Sequence, residues 1–159
     1  MTRALRLRTI ADVAPDVASG AVSARELTEA CLDRIAERDG DLNAFIAVDA
    51  DGARAAARAA DDEIAAGHCR GPLHGIPISL KDLIDVAGSP TTAASNVRPR
   101  TPVAADAPVV AKLRAAGAIV LGKCNLHEFA FGTTSEDSAF GPVHNPHDLS
   151  RSPGGSSGG

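Results

Sequence analysis

Apolar residues recur at helical spacing through the first third of the chain. Ser23, Ala24, Arg25 and Glu26 form a Ser-x-x-Glu pattern, in which hydroxyl and carboxylate satisfy each other's first-turn N–H groups. Leu27, Cys31 and Ile35 follow at four-residue spacing with Ala30 on the same face, which predicts a helix over about residues 23–38. An earlier helix near Thr9–Ser19 is predicted to break or kink at Pro15, which has no N–H to donate. Residues 49–66, rich in alanine and charge, predict a mostly exposed helix that stops before Gly67.

From Gly71 the texture changes. Ile76, Ile78 and Leu80 lie in a short apolar run that predicts a buried strand, with Pro77 marking a strand start or an edge. Residues 88–105, full of Pro, Thr, Ser and Asn, predict a surface loop. Asp106 is placed to cap a helix whose early Pro108 needs no N–H partner, whose apolar face is Val109, Val110 and Leu113, and which Gly117 stops. A second apolar strand follows over Ala118–Leu121. Strand, helix, strand predicts a right-handed parallel crossover, hence an α/β sheet. The last 30 residues read as loop and end in Gly154-Gly155-Ser156-Ser157-Gly158-Gly159, which suggests a truncated piece of something longer.

Composition narrows the function. The 159 residues carry 16 Lys+Arg against 20 Asp+Glu, a net charge of −4, with no Trp or Tyr and only four Phe. Without a basic block or stacking aromatics, direct nucleic-acid binding is not expected. No apolar run approaches the about 18 residues a membrane helix needs, and Met1–Ile10 lacks the apolar stretch of a secretory leader. Cys31, Cys69 and Cys124 are widely spaced and odd in number, which predicts free thiols in a reducing cytoplasm rather than a disulfide framework.

Four features bear on chemistry. Gly117 to Lys123 matches the GxxxxGK spacing of a phosphate loop, but the residues between the glycines are themselves the predicted strand, and Cys124 lacks the hydroxyl that would hold Mg²⁺. His127, Glu128, His144, His147 and Asp148 are metal-ligand types without HExxH spacing and in an irregular loop, so neither metal nor cofactor is expected. Lys81 closes the apolar run Ile76–Leu80. Burial there lowers a lysine pKa and makes a general base; a salt bridge to Asp82 or Asp85, or snorkelling to water, is the alternative. The terminal Gly/Ser stretch reads either as a flexible linker or as a hydroxyl held close to backbone.

Three segments taken together resemble the amidase signature family. They are Gly71–Asp82, Gly117–Phe129, and Gly141–Pro146 leading to Ser152–Gly159. The resemblance covers essentially the whole chain and about the first third of a family member. It implies an α/β fold with a mixed sheet flanked by helices: residues 1–70 would be helical and 71–159 the start of the α/β core of a single amidase domain. It also implies a Ser–Ser–Lys triad with Lys81 as base and Ser156, after a cis peptide bond, as bridging serine. Ala130 and Gly132 would contact the acyl group of the substrate through backbone.

By the same resemblance the nucleophilic serine lies beyond residue 159. The chain alone would then be inactive and, with unpaired strand edges, aggregation-prone or only partly folded. The activity implied is hydrolysis of a small-molecule carboxylic amide in the cytoplasm, without membrane contact. The A subunit of a tRNA-dependent amidotransferase, freeing ammonia from glutamine for partner subunits, is the second reading. His127-Glu128-Phe129 and Thr133-Thr134-Ser135 look more like general amidases. A homodimer and a non-catalytic interaction module stay open. Two positions depart from the family pattern: Cys124 stands where threonine is usual, and Pro15 interrupts the first helix.

Overall fold

The computed structural model of the chain describes residues 8–159. The leader weighed over Met1–Ile10, and the start of the helical stretch expected over 1–70, fall partly outside the described residues. The chain divides into two compact units: one of residues up to Ile35, Asp49–Ile78 and Ala111–Leu121, and one of Ala36–Val48, Ser79–Val110 and Gly122–Gly159.

In the first unit, α1 (Ile10–Ala18) opens on a capping box of its own. Asp12 N–H donates to Thr9 Oγ1 at 3.2 Å, and Thr9 N–H donates to Asp12 Oδ2 at 3.1 Å. The helix runs through Pro15 instead of breaking there. Pro15 is on the exposed face, where the Ala11 carbonyl left without its N–H is open to solvent, while Val13 and Val17 on the other face are buried. The Ser23–Glu26 box forms as its spacing predicts, with N–H to side-chain distances of 3.1 and 2.9 Å. It starts α2 (Ala24–Leu42), which extends past the expected end until Asn43 turns to φ +53°.

The region read as wholly helical contains a strand, β1 (Phe45–Val48), before α3 (Ala50–Ala65). Four residues are too few to show a period, and this strand exists through pairing with residues far along the chain. The expectation that α3 is mostly exposed also needs correction. Ala53, Ala57 and Ala60 form a buried stripe against Ala24, Leu32, Ile119 and Leu121. A stripe of methyl groups lets neighbouring backbones approach closely. A second cluster joins Val13, Val17 and Leu27 to Ile76.

Strand β2 (Pro77–Lys81), helix α4 (Pro108–Ala115) and strand β3 (Ile119–Cys124) follow in the expected order. The sheet order is β1-β3-β2. Pro77 therefore starts an edge strand, both places where a missing N–H is tolerated. All six residues of the central β3 are buried, so Gly117–Lys123 is helix stop and strand, not a phosphate loop. β1 runs antiparallel to β3, with Phe45 opposite Cys124 and Val48 opposite Gly122. Ile119 N–H donates to Ile76 O at 2.9 Å, and Asp82 N–H to Cys124 O at 3.0 Å. Residue numbers rise together along that pair, so β2 and β3 are parallel and the sheet is mixed. Asp106, expected as a cap, accepts the Ala87 N–H at 2.7 Å.

Gly117 stops α4 at φ +85°, and a methyl group added there would run into the ring of His74 and lie 2.9 Å from its Cα. Gly117→Ala is therefore expected to lower stability by about 1–3 kcal/mol, the range for a non-glycine residue held in left-handed backbone. A thermal melt of the variant beside the parent chain checks this; equal midpoints contradict it.

Candidate active site

The site lies entirely in the second unit. It begins where β3 ends. Asn125–His127 continue the strand and receive the terminal Gly/Ser stretch alongside: Leu126 bridges antiparallel to Ser157. His127 N–H donates to Ser156 O at 2.9 Å, and Gly158 N–H to Asn125 O at 3.0 Å. The tail is thus a paired segment rather than a flexible linker.

Gly155, Gly158 and Gly159 serve close packing. A methyl group on Gly155 would lie 2.8–3.0 Å from backbone atoms of Thr133, Thr134 and Ser135. The Gly155–Ser156 peptide is cis. The buried Ser135 donates from Oγ to Ser156 O at 3.3 Å, so that carbonyl accepts two donors.

Lys81 ends β2 and reaches this tail. Its Nζ lies 2.6 Å from Ser156 Oγ. Burial pushes the Lys81 amine below the ordinary lysine range. The salt bridge to Asp82 weighed above does not form, because Asp82 has another partner.

Asp82 and Lys123 make an ion pair at 2.7 Å, with side chains only 1% and 3% exposed. Lys123 also donates to Pro90 O at 3.1 Å and Thr91 Oγ1 at 3.2 Å. Asp82 Oδ2 accepts from Thr92 N–H at 3.0 Å and from Thr92 Oγ1. Reading the sequence for a phosphate loop missed this role of Lys123. The available signal was a lysine inside an unbroken apolar strand, which requires a buried counter-charge.

Ala130 and Gly132 sit on the loop that follows His127 and are linked to Ser156 through that residue. Ala130 N–H donates to His127 O at 2.8 Å. The His127 ring fills the space where a Gly132 side chain would be. Among the described residues, neither Ala130 nor Gly132 hydrogen-bonds Lys81 or Ser156 directly.

Cys124 has its thiol pushed up by burial and hydrogen-bonded by Ser79. All three cysteines are free. Among the described residues no group of three His, Cys, Asp or Glu side chains could hold a metal. His144 Nδ1 lies 2.9 Å from Leu149 O, and Asp148 binds Arg151 and Ser150. No helix of the described residues is long and apolar enough to cross a membrane.

Comparison with known proteins identifies the family. The Amidase family profile matches residues 26–159. The A subunit of glutamyl-tRNA(Gln) amidotransferase from Acidothermus cellulolyticus is 53% identical over 152 residues. That match covers 96% of this chain and 30% of the relative, so the chain spans about a third or less of the curated proteins it matches. The native peptide amidase of Stenotrophomonas maltophilia superposes with a TM-score of 0.88 at 41% identity, over 96% of this chain and 32% of that one. The amidotransferase A subunit of Thermotoga maritima gives 0.76 at 33% identity, over 99% and 31%. With a mixed sheet, a lysine on a serine hydroxyl and a family match over most of its length, the chain belongs to the amidase signature family.

Proposed function

We propose that this chain supplies the base and the bridging serine of a cytoplasmic amide hydrolase. The observation that carries the reading is the 2.6 Å separation of Lys81 Nζ and Ser156 Oγ at a half-buried lysine whose charged form is disfavoured. Uncharged Lys81 accepts the Ser156 proton, and Ser156 oxygen takes one from a nucleophilic serine. That serine's oxygen bonds to the amide carbonyl carbon. The tetrahedral adduct expels the amine, which receives the proton back through Ser156, leaving an acyl-enzyme that water resolves. The nucleophile belongs to the two thirds of the relatives' length that this chain does not span. Ala130 and Gly132 present backbone to the acyl group.

The names of the curated relatives favour a second reading, the glutaminase half of an amidotransferase. The peptide amidase likeness and the His127-Glu128-Phe129 segment favour a general amidase. Ammonia release by the complete protein, offered simple carboxamides and glutamine, separates the two. Turnover of carboxamides without added subunits or tRNA is expected. Consumption of glutamine alone, and only with partner subunits and charged tRNA, would establish the second reading. No turnover of either would overturn the hydrolase. Residues 1–159 alone are expected to be inactive; Lys81-dependent turnover by them would contradict the placing of the nucleophile.

A further inference from the structure

Lys81 and Asp82 are consecutive, yet they serve different partners. Lys81 binds Ser156, and Asp82 binds Lys123 and the Thr92 backbone and hydroxyl. Asp82 also accepts the Ala93 N–H through its carbonyl at 2.9 Å. Lys123 holds the same loop from its other end, at Pro90 and Thr91. Thr92 Oγ1 in turn accepts the Ala94 N–H at 3.1 Å.

What this clamp holds is unusual backbone. Ala93 and Ala94 have φ of +51° and +57°, left-handed values that alanine rarely adopts. Phe129 and Ala130, with φ of +52° and +58°, form a second such pair. The two pairs are docked together, because Phe129 N–H donates to Ala93 O at 2.9 Å. Ala139 N–H donates to Ala94 O at 2.8 Å beside it. Strained residues persist only where their surroundings over-determine them, and such residues gather at ligand-binding sites. Here the surroundings are a desolvated ion pair, and the supported segment carries Ala130 and leads to Gly132.

We infer that the Asp82–Lys123 pair is a positioning device: it locks the Ala93–Ala94 turn, which sets the Phe129–Ala130 backbone against which the acyl group of the substrate lies. The inference rests on the amide-hydrolase reading, because it concerns where that reading places the acyl group. Its effect falls on substrate binding more than on proton transfer, since Lys81 reaches Ser156 without this network.

The test uses the complete enzyme. Asp82→Asn/Lys123→Met removes both charges together at nearly constant volume. For the folded variant, KM is expected to rise about tenfold or more, the size of effect when a strained residue is no longer held, with a smaller change in kcat. Adding Ala93→Gly and Ala94→Gly, which accept left-handed backbone without penalty, is expected to recover much of the lost KM. Thr92→Val, which keeps the ion pair and removes the hydroxyl bridging Asp82 to Ala94, is expected to raise KM several-fold and keeps the test available if the double variant does not fold.

Unchanged KM in a folded double variant or in Thr92→Val overturns the inference, as does a raised KM that the glycines do not restore. Absence of Lys81-dependent hydrolysis in the parent enzyme would instead count against the amide-hydrolase reading itself.

Discussion

Lys81→Ala in the complete enzyme lowers kcat by at least about 10²–10⁴-fold, the loss typical of a general base, while the protein still folds. The expectation follows from position. Lys81 Nζ is 2.6 Å from Ser156 Oγ, and burial disfavours its charged form. The sign of the pH dependence follows as well. Protonated Lys81 cannot accept the Ser156 proton, so kcat/KM is low in acid and rises as the amine deprotonates. Because burial lowers the pKa, this limb lies below the ordinary lysine value of about 10.4. Lys81→Arg is expected to be as inactive as the alanine variant, since a guanidinium retains its proton. Steady-state rates from pH 5 to 10, beside a thermal melt to confirm folding, check this. An arginine variant with parental rates would remove Lys81 from the chemistry.

The second large effect is on stability. Lys123→Met alone leaves the Asp82 carboxylate 1% exposed and without its counter-charge. Removing one member of a buried pair costs about 3–5 kcal/mol, whereas replacing both is often neutral. The single variant is expected to melt far below the parent and the Asp82→Asn/Lys123→Met double variant well above the single. A chemical denaturation series across the three proteins measures this. A single variant as stable as the parent would mean that the pair is more solvated than its geometry indicates.

Legibility in the sequence followed locality. The Ser23–Glu26 box, the stop at Gly117 and Pro77 at a strand start depend on neighbours within a few residues, and each was readable. Lys81 was legible as a lysine closing an apolar run. Its bond to Ser156, 75 positions away, came from the resemblance to known amidases, because the residues alone favoured a flexible linker. Strand β1 was missed because its four residues are placed by pairing with β3. The alanine stripe of α3 was missed because alanine is as common on exposed helix faces as on buried ones. The pairing of Lys123 was missed because its partner, Asp82, lies just past the end of another strand, where nothing local in the sequence points to it.

The account stands on an uncharged Lys81 facing Ser156. Its most direct test is an NMR titration of the complete enzyme carrying ¹³C-labelled lysine, with Lys81→Arg identifying the resonance. The Lys81 side chain is predicted to titrate clearly below its solvent-exposed counterparts. A Lys81 resonance that titrates together with the surface lysines would contradict the account.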